Sequence, residues 1–262
     1  VKHILAGLSL TLLIILCSFT SLETRNPFKV RTIVIDAGHG GHDPGTHGKS
    51  AKEKDVALKV ALQLGKIIKK FMPEVKVIYT RTTDKFIELH DRAGLANKNH
   101  ADLFISIHCN AISNPSIYGT ETYTLGLHKS EDNLDVAKRE NSVILQEKDH
   151  EEKYEGFDPN SPMAHILLAN YQSAYIENSL LLASHIETQF QKRVNRKSRG
   201  VKQAGFIVLW KTSMPSVLVE IGYLTNQTEE RYLTNVANQE FIASGIFRAF
   251  REYKEDIESM ND

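Results

Sequence analysis

Apolar residues along this chain follow two rhythms. Short aliphatic and β-branched runs alternate with longer stretches in which apolar positions recur every three or four residues. Thr32–Ile35 is the first short run. In Asp55–Phe71, Ala57, Ala61, Leu64, Ile68 and Phe71 share one helical face, and Pro73 stops the helix. Val75–Tyr79 predicts a second strand, Glu88–Lys98 a second helix and Leu103–His108 a third strand. Phe206–Leu209 and Val217–Ile221 predict further strands, Tyr118–Thr124 an edge strand, and Gln239–Tyr253 a closing helix. Two consecutive strand–helix–strand units imply an α/β fold, a mostly parallel twisted sheet flanked by helices with right-handed crossovers.

One stretch breaks this count. From His128 to Ala204 there is far more chain than a crossover requires. Residues 129–158 carry ten acidic and five basic side chains. Ser161–Pro162 is a natural helix start, and Ile176, Leu180, Ala183, Ile186, Phe190 and Val194 predict a long helix after it. The pattern therefore describes a single domain over residues 28–256 with an inserted helical segment at about 129–200. The charged part reads either as a solvated face or as a mobile regulatory element.

Charge removes one class of function. With 32 basic and 32 acidic residues the chain has no formal net charge, which argues against a nucleic-acid binder. Lys2 and His3 precede an apolar run from Ile4 to Cys17, with small residues Ser18 and Thr20 after it. That run is short for a bilayer span and reads as a secretory signal peptide over residues 1–21. The expectation is an exported protein of the periplasm or cell envelope, without a stable membrane span after processing. Leu16 stands where a lipoprotein signal wants a small residue, so Cys17 is not read as a lipid anchor. The mature chain then keeps one cysteine, Cys109, which cannot form an internal disulfide. In a regular strand Cys109 points away from His108 and reads as a small buried residue.

The candidate chemistry lies where strands end. Asp36-Ala37-Gly38-His39-Gly40-Gly41 is a glycine-rich turn after the first strand, and neither nucleotide-binding glycine pattern is present. In an open parallel sheet the strand ends converge on one edge. His39, Glu53 and His108 fall on that edge, and two imidazoles with one carboxylate make a three-ligand zinc set with an open position for water. His42 and His47 in the same loop read as exposed or substrate-contacting residues, with replacement of a ligand as the alternative. Glu220 ends the apolar run Val217–Val219, where an unpaired acid is costly to bury. It reads as a general base acting on a water whose pKa zinc has lowered. These residues give metal-assisted amide hydrolysis without choosing the bond.

Several further blocks, in order, carry a resemblance. IDAGHGG with Asp43-Pro44-Gly45, then Glu53, Thr80-Arg81 with Asp84, Arg92, Ala96-Asn97, SIHCNA, Gln203-Ala204-Gly205-Phe206 and PSVLVEIGYLTN are similar to the zinc-dependent N-acetylmuramoyl-L-alanine amidases, the type-3 family of bacterial cell-wall hydrolases. The likeness spans Val30 to Tyr253. It implies Zn2+ on His39, Glu53 and His108, Glu220 as catalytic acid/base, and cleavage between N-acetylmuramic acid and L-alanine in peptidoglycan. It implies a role in wall remodelling and daughter-cell separation. Lys138-Arg139-Glu140-Asn141 resembles the helix that blocks the metal in regulated members, which implies Glu140 as an inhibitory ligand and a protein activator of the division machinery. Glu147, Glu151 and Glu152 are alternatives if the register is shifted. Two rivals remain: a non-catalytic wall-binding protein, which would be expected to lose a ligand or the acid, and a zinc peptidase that cuts elsewhere in the stem.

Overall fold

The computed structural model describes residues 29–114, 116–170 and 174–260; the expected signal peptide lies outside them. Among the described residues six strands form one sheet: β1 Thr32–Ala37, β2 Lys76–Tyr79, β3 Leu103–Asn110, β4 Thr120–Leu125, β5 Ser198–Ala204 and β6 Ser216–Tyr223. Their order is β2-β1-β3-β6-β4-β5. All pairings are parallel except β4 with β6. The expected α/β architecture is the observed one.

The central strands are apolar on both faces because both faces are covered. Ile33, Ile35, Ile105, Ile107, Val217 and Val219 face one core. Against it pack α1 (Glu53–Phe71), α6 (Ile176–Lys192) and α9 (Val236–Ser259). Val34, Phe104 and Leu218 face a second core. It is closed by α2 (Leu89–Lys98), α3 (Glu131–Asn141), α5 (Pro162–Ala169) and α7 (Ile207–Trp210). A 3-10 turn at Ser142–Gln146 and the short helix α4 (His150–Lys153) join α3 to α5, and α8 (Gln227–Thr234) precedes α9.

Three expectations change. Tyr118–Thr124 is not an edge strand: β4 lies between β6 and β5, fully buried. Its polar side chains are satisfied inside, since Thr120 and Thr122 donate to Glu187 of α6. The true edge is β5, whose sequence SRGVKQA lacks the apolar alternation that signals a strand. Phe206–Leu209 is not a strand either. Ile207–Trp210 forms a helical turn, and the Asn141 side chain accepts from the Ile207 amide at 2.9 Å. The long helix after Ser161 is two helices, α5 and α6. The second packs into the main core through Leu182, Ala183, Ile186 and Phe190.

Candidate metal centre

Parallel pairing brings the carboxyl ends of β1, β3 and β6 to one edge. On β3, Ile105, Ile107 and Cys109 face the first core, so Ser106 and His108 face the second. Cys109 is a buried free thiol on the far face from His108. His108 is the register partner of Glu220 on β6. His39 follows β1 in a left-handed conformation, φ 59°, within the glycine turn. Glu53 is the first residue of α1 and is fully buried.

These positions converge. His39 Nε2 lies 3.1 Å and His108 Nδ1 3.1 Å from Glu53 Oε1. Glu140, the penultimate residue of α3, brings Oε2 to 3.2 Å from His39 Nε2 and 2.9 Å from His108 Nδ1. One ligand atom from each of the four residues lies within 4.8 Å of all the others. The loop histidines do not join them: exposed His42 stacks on Phe86, and His47 is exposed. The competing acids do not reach the group. Glu147 accepts from the Leu89 amide and the Tyr154 hydroxyl, and Glu151 and Glu152 are exposed.

Close approach requires missing side chains. A Cβ at Gly38 would lie 2.4 Å from the His108 ring. A Cβ at Gly45, where φ is +64°, would lie 2.5 Å from His39 and 2.6 Å from Glu53. The turn itself is held from beneath. Arg81 donates to the carbonyls of Ala37 and Gly38, and Arg92 to those of Ala37 and His39. The resemblance carried Arg81 and Arg92 without giving them this task. The resemblance carries Asp43 in the same way: its Oδ2 holds His39 Nδ1 at 2.7 Å, so Nε2 faces the group. An acid four residues after the histidine of a tight turn was the available signal.

Burial and charge compete here. Burial alone would raise Glu53, but the neighbouring His39 charge and the hydrogen bond with His108 hold it at about 2. Burial works against a charged His108, yet Glu140 and Glu53 draw it up to about 9. Glu220 is pushed well above the usual carboxylate range by burial, then by the negative charges of Glu140 and Glu53. His39 Nε2, Glu140 Oε2 and both Glu220 oxygens are buried with no hydrogen-bond partner among the described residues. Arg139 Nη2 comes only to 3.5 Å of Glu220. A buried set of imidazole nitrogens and carboxylate oxygens with unmet acceptors fits a divalent cation, and nitrogen–oxygen donation suits zinc.

Comparisons with known proteins identify the family. A family model described as N-acetylmuramoyl-L-alanine amidase (Amidase_3) matches residues 33–252. The chain is 34% identical to N-acetylmuramoyl-L-alanine amidase AmiA of Escherichia coli K12 over 226 residues, 85% of this chain and 76% of that protein. It resembles the crystal structure of an N-acetylmuramoyl-L-alanine amidase from Clostridium difficile 630, with a TM-score of 0.65, 28% identity and coverage of 87% and 98%. It also resembles the CwlD amidase of Clostridioides difficile, solved in complex with the GerS lipoprotein, with a TM-score of 0.64, 25% identity and coverage of 86% and 99%.

Proposed function

The chain belongs to the N-acetylmuramoyl-L-alanine amidase family, and from that membership we propose how its site works and how it is controlled. The enzyme hydrolyses the amide between the lactyl group of N-acetylmuramic acid and L-alanine in peptidoglycan during cell-wall remodelling. His39, Glu53 and His108 hold Zn2+. The observation that carries this is the buried convergence of their ligand atoms, with His39 Nε2 facing the carboxylates of Glu53 and Glu140. A zinc ion there supplies Lewis acidity, which makes water a nucleophile near neutral pH.

Glu220 does the proton work. It lies beside His108 in register, at the floor of the same group. It takes a proton as the water oxygen adds to the lactyl carbonyl carbon. It returns that proton to the L-alanine nitrogen as the C–N bond breaks. The products are a lactyl carboxylate and a free amine.

Glu140 is the inhibitory ligand. What supports this is its carboxylate 2.9 Å from His108 Nδ1 and 3.2 Å from His39 Nε2, where it would compete with water for a bound metal. With α3 in place the space between His39, His108 and Glu140 is about 10 Å³, room for a single water, while a second space of about 270 Å³ borders His39 and Glu140. An activating protein, expected from the division machinery, lifts α3; exposed Met163 and Leu167 on α5 offer it an apolar surface. The enzyme works in the periplasm or cell envelope, where peptidoglycan lies. Among the described residues no helix is long and apolar enough to cross a membrane.

Purified His108→Ala should lose most bound zinc and all measurable hydrolysis. Glu220→Gln should lose at least a thousandfold in turnover yet keep the metal. A metal-free Glu220→Gln, or an active His108→Ala, refutes these roles. Mass spectrometry of digested sacculi should find intact stem peptides with a free L-alanine amine. Shortened peptides still attached to muramic acid would instead make the enzyme a peptidase.

A further inference from the structure

Beside the candidate metal centre lies a cavity of about 480 Å³. One wall is β5, and it is cationic. Arg199 Nε donates to Glu121 Oε1 at 2.8 Å and Lys202 Nζ donates to the same oxygen at 2.6 Å. Residues three apart on a regular strand face opposite sides of a sheet. Here they face the same side because β5 carries an extra residue: Thr120 pairs with Ser198 but Thr122 pairs with Val201. The bulge includes Gly200 at φ +87° and turns both cations onto one face. Glu121 is buried and also accepts from Tyr123, Tyr223 and Asn110. One carboxylate against two cations leaves the wall positive.

This wall stands at a defined place relative to Glu220. Glu121 on β4 is the register partner of Glu220 on β6. The cations on β5 are one strand further out, so they sit about 10 Å from the acid, two strand spacings away. An extended peptide covers that in about three residues, or in fewer with a side chain added. On the resting chain, Asp132 and Asp135 of α3 line the same cavity. The blocking helix thus presents acids to the cationic wall.

We propose that Arg199 and Lys202 form a subsite for a carboxylate on the stem peptide, borne by the acidic residue that follows L-alanine. This rests on the amidase reading above. The pair makes the enzyme prefer stems whose glutamate carboxyl is free over stems in which it is amidated. Asp132 and Asp135 occupy the same electrostatic position until α3 moves.

The test uses the full chain carrying Glu140→Ala, so that turnover is measurable, and two muramoyl tripeptides that differ only in carboxylate or carboxamide at the second residue. The carboxylate substrate should show a roughly tenfold higher kcat/KM, the scale of one charge-assisted hydrogen bond. Arg199→Gln with Lys202→Gln should bring that ratio to about one, while Arg199→Lys with Lys202→Arg should keep most of it. A purely structural role for the pair would lower both substrates together and leave the ratio intact. That result, or equal cleavage of the two substrates before any change to the pair, overturns the subsite and leaves the amidase reading standing. Cleavage of neither substrate at the muramoyl–alanine bond by zinc-loaded protein overturns the amidase reading and the subsite with it.

Discussion

His39 reaches the centre through Nε2 because Asp43 holds its other nitrogen at 2.7 Å. A carboxylate in that position fixes the ring's tautomer and orientation and raises its basicity as a ligand. Asp43→Ala should therefore weaken zinc binding by about 10–100-fold. Competition against a chromophoric chelator reads this directly, and an unchanged affinity would remove Asp43 from the site. The positions of His39, Glu53 and His108, which converge, and of Glu220 opposite His108 are legible in the sequence because each follows or ends an apolar run, or starts the helix after the turn. Glu140 was legible only through the resemblance of its short segment, since one acid among ten in a charged stretch carries no signal of its own. The supporting residues were not legible as such. What Arg81 and Arg92 do depends on which backbone carbonyls turn toward them, and the fold decides that.

Strands β1 and β3, the residue that follows β2 and helix α2 are joined at one buried carboxylate. Asp36 accepts from Thr80 at 2.6 Å, from Ser106 at 2.6 Å and from Arg92 at 2.8 Å. Burial would raise its pKa, but the Arg92 charge and the two hydroxyls hold it below the usual value of 3.8. A depressed pKa in the folded state stabilises the fold above about pH 4, and that contribution disappears as pH falls through the folded value. Asp36→Asn leaves Arg92 as an uncompensated buried charge and should cost about 3–5 kcal/mol in denaturant unfolding at pH 7. The wild-type advantage should shrink when both proteins are unfolded at pH 3. A gap of equal size at both pH values would mean that the ion pair does not carry the effect. The strands this cluster ties together were readable from the sequence because they are apolar on both faces. β4 and β5 were misjudged or missed because their polar side chains find partners inside: Thr120 and Thr122 on Glu187, Arg199 and Lys202 on Glu121. Alternation alone cannot distinguish a wet face from a satisfied buried one.

If Glu140 blocks the site as proposed, the whole molecule is in equilibrium between this closed form and an open one. Helix α3 is seated by buried Leu134, Val136 and Ala137. Asn141 also fastens it, donating to the Gly205 carbonyl at 2.7 Å and accepting from the Ile207 amide at 2.9 Å. Holding the site about 99% closed needs roughly 2.7 kcal/mol. Two buried hydrogen bonds at about 1 kcal/mol each, together with a carboxylate contact, are enough to supply it. Glu140→Ala should then raise basal release of dye from labelled sacculi by up to about a hundredfold without an activator. Asn141→Ala leaves the metal-facing carboxylate in place and removes only the fastening. It should raise basal activity by roughly tenfold and speed amide exchange across residues 131–147, including Leu134 and Ile144. Glu151 is exposed and touches neither the metal group nor the fastening, so Glu151→Ala serves as the neutral control. The two active variants separate two ways of being closed. If Glu140→Ala is active while its exchange is unchanged, the carboxylate alone blocks the water position and α3 need not leave. If both variants keep full zinc and neither rises above the Glu151→Ala control, α3 is fixed scaffold and the site is not held shut by it.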